Sequence, residues 1–158
     1  MPGNLCHHLI PLSPPLQAER IQSRLAYRAP DGFRHWRSAN CVIGHGALHM
    51  DKTAAPTPQP LRLADGRICV IDGFVANFDD LRHRLDIDAS ISLDDAQLLA
   101  MAIDRWGSRI SEHVQGEFAL AIWDPGAHRL QLVRDHLGGR PLCYVQTHDM
   151  FAFASHAL

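Results

Sequence analysis

The run Glu117-Phe-Ala-Leu-Ala-Ile-Trp123 narrows the possible folds of this chain more than any other segment. The turn sequence Asp124-Pro125-Gly126 follows it, and then a second apolar run, Leu130-Gln-Leu-Val133. Two strand-forming runs around such a turn predict an antiparallel hairpin, with arms at Glu117–Trp123 and Arg129–Arg134. Further strands are expected at Cys41–Gly44, Arg67–Ile71, Pro141–Gln146 and Phe151–Ala154.

Helical signals are fewer. Ser13 is a good N-cap, and Pro14 and Pro15 suit a first turn where a missing N–H costs nothing. Ala18, Ile21 and Leu25 then share a face, and Ala29-Pro30-Asp31-Gly32 ends the segment, so a helix is expected near 14–25. A short helix is expected over Phe78–Leu85 with Asn77 as its cap. A longer one should run from about Asp94 to Trp106, with Leu99, Ala102, Ile103 and Trp106 on one stripe and Gly107 as the stop. The Pro-rich stretch 54–60 reads as a loop within the domain. Helices and strands do not alternate, which argues for a layered α+β fold and against a doubly wound sheet. Leu99, Ile103, Phe118, Leu120, Ile122, Leu132 and Phe153 should then be largely buried.

At 158 residues and 46% hydrophobic content, the expectation is one domain spanning 1–158, large enough to need neither disulfide nor metal. A net charge of -2 supplies no footprint for nucleic acid. No stretch approaches the ~18 apolar residues of a membrane span, and the N-terminus lacks the basic region of a secretory signal. Cysteines at 6, 41, 69 and 143 form no CxxC pair, and three lie in apolar, strand-like runs. They read as small buried hydrophobes in a reducing, cytoplasmic setting.

Eleven histidines raise the question of a metal. His45 and His49 have helix-compatible ligand spacing, but Gly44 and Gly46 oppose a helix, and on a strand the pair would stand ~13 Å apart. Cys6-His7-His8 alternate faces in a strand, so no metal site is expected. His136-Leu-Gly-Gly-Arg140 lacks the spacing of a phosphate loop and reads as a turn between strands. No GxSxG element occurs either.

Nine short segments, in order, resemble the class II glutamine amidotransferase domain of asparagine synthetases. Arg28-Ala-Pro-Asp-Gly32 resembles the family's RGPD turn. Ile43-Gly-His-Gly-Ala-Leu-His-Met50 resembles LGHxRLxI, and Gln59-Pro60-Leu61 resembles the QP after the loop. Ile71-Asp-Gly-Phe-Val-Ala-Asn77 with Leu81-Arg82 resembles NGEIYNxxxLR. Asp95-Ala-Gln-Leu-Leu resembles DTEVLL, and Trp106-Gly107 the WG that closes that helix. Gly116–Asp124, Arg134–Leu142 and Phe153-Ala-Ser155 with Ala157-Leu158 resemble GxFAFAIWD, RDxxGxxPL and FASExKAL. The resemblance covers about residues 24–158. It implies a four-layer αββα N-terminal-nucleophile hydrolase sandwich, two antiparallel sheets between helices.

The family's chemistry transfers poorly onto these residues. Its nucleophile is an N-terminal cysteine whose own α-amino group, with a reference pKa near ~8, serves as base. Here residue 2 is Pro, and the first cysteine, Cys6, is followed by two histidines instead of Gly-Ile. The arginine that grips the glutamine carboxylate corresponds to Ala47. The oxyanion-hole asparagine corresponds to Asp72, whose carboxylate offers no donor, although Gly73 is kept. The glutamate of NGE corresponds to Phe74. Only the aspartate that contacts the substrate amino group persists, as Asp95.

The resemblance therefore implies a degenerate, non-hydrolytic domain of an asparagine-synthetase-like, ATP-dependent amide-forming ligase, as in β-lactam synthetases and lasso-peptide cyclases. The alternative is a working glutaminase in which Met1–Leu5 is removed and Cys6 becomes N-terminal. A third reading is a binding module with a ligand other than glutamine, suited by the apolar Phe74. No SGGxDS loop occurs in the chain, so ATP and magnesium are implied only for a separate synthetase domain, joined in cis or in trans. An apolar patch is expected where that domain docks, and a homodimer of the isolated chain is compatible with it.

Overall fold

The computed structural model describes residues 5–8, 22–23, 26–48 and 56–156. Its strands are β1 Leu5–His8, β2 Phe33–Arg37, β3 Val42–Gly46, β4 Leu61–Arg62, β5 Ile68–Val75, β6 Gly116–Asp124, β7 Arg129–Arg134, β8 Cys143–Gln146 and β9 Phe151–Ala154. Two helices, α1 Phe78–Arg84 and α2 Asp95–Trp106, lie between β5 and β6, followed by a 3-10 segment over Gly107–Glu112. The helix expected near 14–25 falls almost wholly outside the described residues.

The expected hairpin is the centre of the molecule. β6 and β7 pair antiparallel from Ala119↔Arg134 to Asp124↔Arg129, within a five-stranded sheet of order β1-β7-β6-β5-β4. Every neighbouring pair in it is antiparallel. The two faces follow from the two-residue period of a strand. Cys69 and Ile71 of β5, Phe118, Leu120 and Ile122 of β6, and Val133 of β7 meet Leu81 of α1 and Leu98, Leu99, Ala102 and Ile103 of α2. Ile68, Ala121, Trp123, Leu130 and Leu132 point the other way, onto Cys41, Ile43 and Phe151. Both faces are buried, so β6 reads as an almost continuous apolar run.

The opposite layer is made of two separate antiparallel ribbons, β2–β3 and β8–β9, rather than one continuous sheet among the described residues. The architecture is α+β, helices flanking β-sheets, in keeping with an αββα sandwich. β2 escaped the sequence reading because Arg34, His35 and Arg37 interrupt it, leaving only Phe33 and Trp36 to pack. Phe153 is only partly buried, packed against the second apolar cluster rather than enclosed in it. The other six residues expected in the core are buried.

Local chemistry explains the helix limits. Asp94 caps α2: its carboxylate accepts the Gln97 N–H at 2.8 Å, and Gln97 Oε1 accepts the Asp94 N–H at 3.0 Å. This reciprocal box satisfies two otherwise orphaned donors. Gly107, at φ 56°, closes the helix as expected. Asn77 precedes α1, but its side chain does not cap it. Instead its amide donates to the His113 carbonyl at 3.0 Å and its oxygen accepts the Gln115 N–H at 2.9 Å, tying α1 to the entry of β6. Tertiary bonds therefore took the side chain that the sequence assigned to the helix end.

The loop before β4 is anchored by Gln59, which is buried. Its amide gives and receives hydrogen bonds with the Ile71 backbone, at 3.0 and 2.7 Å, standing in for a strand partner. Among the described residues no helix is long and apolar enough to cross a membrane. Cys41 and Cys69 are buried as expected, and burial pushes both thiols up to about 12. Cys143 departs from the expectation: it is exposed, because β8 offers all four of its residues to solvent.

Candidate functional site

Asp72, Gly73 and Phe74 follow one another near the C-terminal end of β5, and the register sets their surroundings. Asp72 stands opposite Ala119, which stands opposite Arg134; Gly73 faces Phe118 and Phe74 faces Glu117. Asp72, Phe74, Glu117 and Arg134 therefore share the ribbon face of the sheet, at one end. Gly73 adopts φ 150°, and a Cβ there would come within 2.2 Å of the Glu117 carbonyl oxygen and 2.6 Å of the Phe118 Cα. Gly116, across the pair of strands, is equally confined, with 2.2 Å from a Cβ to the Phe74 oxygen. Only glycine fits either place, so the close approach of β5 and β6 at this end is fixed by sequence.

Over the same end lies the turn expected at His136–Arg140. Its organiser is Asp135, a buried carboxylate that accepts N–H bonds from Leu137 at 2.9 Å, Phe118 and Gly139 at 3.1 Å, and Arg140 at 3.4 Å. Desolvation alone would raise this carboxyl, but the N–H groups of Gly139, Arg140, Phe118 and Leu137 together hold it below the usual aspartate range. Arg134 grips the turn from beneath, donating from Nε to the Arg140 carbonyl at 2.6 Å and from Nη2 to the Gly138 carbonyl at 2.5 Å. Gly139 sits directly on Glu117, with room for no Cβ. So anchored, the turn sends the Arg140 side chain toward Asp72, Nη1 to Oδ1 at 3.6 Å. That is an ion pair beyond hydrogen-bond reach.

Asp95 is the first residue of α2 and accepts the Val75 N–H at 3.4 Å. It thus lies beside the strand end, two residues past Gly73. Burial raises its carboxyl above the ordinary aspartate range; the Val75 N–H pulls back, and the adjacent Asp94 charge adds to the rise. Ala47 follows β3, half-buried, its N–H bound to the Gly32 carbonyl at 2.8 Å. It offers a methyl group and no cation.

Cys6 is not brought to this cluster. Its backbone pairs with Gln131, three residues before Arg134, on the far edge of the sheet. Strand spacings put it roughly 17 Å from Asp72. Arg134, Asp135, Arg140 and Glu117 were absent from the sequence-derived set. The available signal was an acid gained at 72 and a base that could face it after two glycines. Among the described residues no group of three or more His, Cys, Asp or Glu could hold a metal ion. His45 lies on strand β3, not on a helix; His49 falls outside the described residues. The groove lined by Leu61, Leu63, Leu93, Ala100 and Met101 opens between β4 and α2, on the opposite side of the sheet from Asp72.

With that arrangement in view, comparison with known proteins identifies the class. Residues 9–158 match the family described as "Glutamine amidotransferase domain", and the chain belongs to that family. Two Bacillus subtilis (strain 168) proteins are similar to it. "Asparagine synthetase [glutamine-hydrolyzing] 3" is 27% identical over 141 residues, covering 87% of this chain and 23% of the relative. "Asparagine synthetase [glutamine-hydrolyzing] 2" is 30% identical over 132 residues, covering 83% and 18%. "Amidase chry2" of Gibberella zeae is 27% identical over 124 residues, covering 76% and 18%. The chain thus spans less than a quarter of the length of these curated relatives.

Proposed function

We propose that this is a degenerate, non-hydrolytic amidotransferase-type domain serving a structural and docking role in an asparagine-synthetase-like, ATP-dependent amide-forming ligase. Asp72 carries the reading: at the position of an oxyanion donor it offers a carboxylate, with the Arg140 guanidinium 3.6 Å away. A developing oxyanion needs donors aimed at it, and an anion there opposes the charge that forms. Ala47 supplies no carboxylate clamp. Cys6, held in register with Gln131, is well removed from Asp72, and as an internal residue it has a peptide nitrogen where the mechanism needs a free amine. Carboxylate activation by ATP and magnesium belongs, in this reading, to a synthetase domain in cis or in trans, in the cytoplasm. Similarity to longer asparagine synthetases supports that partnership.

The test combines intact mass with a coupled ammonia assay on L-glutamine. The expected result is no ammonia release and no effect of Cys6→Ala. Loss of Met1–Leu5 accompanied by turnover that Cys6→Ala abolishes would establish the glutaminase alternative instead.

A further inference from the structure

From the open edge of the β2–β3 ribbon we infer an interaction surface: β2 accepts an extended, acidic segment of a partner protein as an added strand. The carboxylates of that segment stand three residues apart, opposite Arg34 and Arg37. This surface is independent of whether the chain hydrolyses glutamine. β2 has β3 as its one strand neighbour among the described residues. Two bonds near the ends of the ribbon set the phase of its ladder. The Ala47 N–H donates to the Gly32 carbonyl and the Ser38 N–H to the Cys41 carbonyl, both at 2.8 Å. Alternate residues of an antiparallel pair bond across it, so Gly32, Arg34, Trp36 and Ser38 turn their backbone groups to β3. Phe33, His35 and Arg37 turn theirs to the open edge, a row of donors and acceptors to which another strand can add.

Charge selects the occupant. Arg34 and Arg37 are exposed, and neither β2 nor β3 carries a carboxylate side chain. Neither arginine belongs to an ion pair among the described residues. Trp36, between them, packs against the apolar cluster of Ile43 and Trp123, which fixes the strand from which both guanidinium groups project. A second copy pairing through β2 would crowd the arginines of both copies along one short edge, and like charges across paired strands are unfavourable. A neutral strand would gain backbone bonds alone. Successive side chains of a strand alternate faces, so Arg34 and Arg37 lie on opposite faces of the ribbon. Acids at positions i and i+3 of an added strand meet both, whereas acids at i and i+2 share a face and meet one. β8 is the internal comparison, since it is exposed at all four residues and carries no charge with which to select a partner.

The experiment is an amide-resolved NMR titration of the 158-residue chain with three hexapeptides of threonine and valine. One has glutamates at its second and fifth positions, one has them at the second and fourth, and one has glutamines at the second and fifth. The first should give saturable shifts over β2, slow hydrogen exchange at the Phe33, His35 and Arg37 amides, and leave β8 unmoved. An exposed opposite-charge pair is worth roughly threefold in affinity, so the second peptide should bind about threefold and the third about tenfold more weakly. Arg34→Gln and Arg37→Gln should each weaken the first peptide by about threefold, and added salt should weaken it more than the glutamine peptide. If either variant fails to fold, the three peptides and the salt series still decide the matter. No saturable shift in β2, equal affinity for the glutamate and glutamine peptides, or equal loading of β8 overturns the inference. So does a concentration-dependent shift of the three edge amides without peptide, which would give the edge to a second copy.

Discussion

Asp135 is the single residue on which most of the site's geometry depends. Four backbone donors converge on its carboxylate, from β6 and from the turn that carries Arg140. Its replacement by alanine strands those donors in a largely buried place, a loss expected near 3 kcal/mol of stability. Chemical denaturation at neutral pH measures it. The pH dependence has a definite sign. Its folded carboxyl sits below the unfolded value of about 3.9, so its stabilisation is present above that pH. It disappears as pH falls through the lower folded value. The native chain should therefore lose stability below about pH 4 more steeply than Asp135→Ala, and equal slopes for the two in acid titrations would refute this role.

Among the elements, α2 connects fold and site, since Asp95 opens it and its apolar stripe closes the helical face of the sheet. Leu98, Leu99, Ala102 and Ile103 are fully enclosed. Leu99→Ala should cost about 3 kcal/mol, from lost transfer energy and the cavity left behind. Asp94→Ala removes the box with Gln97 and also the acceptor of the Thr57 N–H, bound at 2.6 Å. A cost of about 1 kcal/mol is expected. Both appear as lower denaturant midpoints at an unchanged slope. Asp94→Ala should also shift the Asp95 and Val75 resonances, because the cap holds the first turn against β5.

For the whole molecule, the layers leave apolar side chains on view. Leu137 is 96% exposed on the Asp135 turn, and Tyr144 and Val145 are exposed on β8, which follows it in the chain. In the role proposed above, exposed apolar side chains of this kind are what a docked synthetase domain would cover. Without such a domain, a clean preparation of the chain should release no pyrophosphate from ATP. Detectable release would overturn the assignment of adenylation to a separate domain.

The sequence alone determined what short-range physics governs. Strand-forming apolar runs and the turn at 124–126 located β3, β5, β6, β7, β8 and β9; a stripe of period near 3.6 with an acidic start and Gly107 located α2; nine ordered segments pointed to the family. Glycines at 73 and 116, and the turn at 136–140, were also present in the letters. Only the tertiary structure decided which strands meet, and through them that Asp72, Glu117, Arg134 and Arg140 converge on one end of one face. It also tied the Asn77 side chain to the backbone of His113 and Gln115 rather than to the backbone of its helix, left Cys143 exposed and Phe153 only partly buried, and kept the Cys6 backbone at the far edge. The reason is one of range. Caps, turns and periodicity act within a few residues. Sheet register and charge pairing join distant segments, whose partnership exists only after the intervening chain has folded.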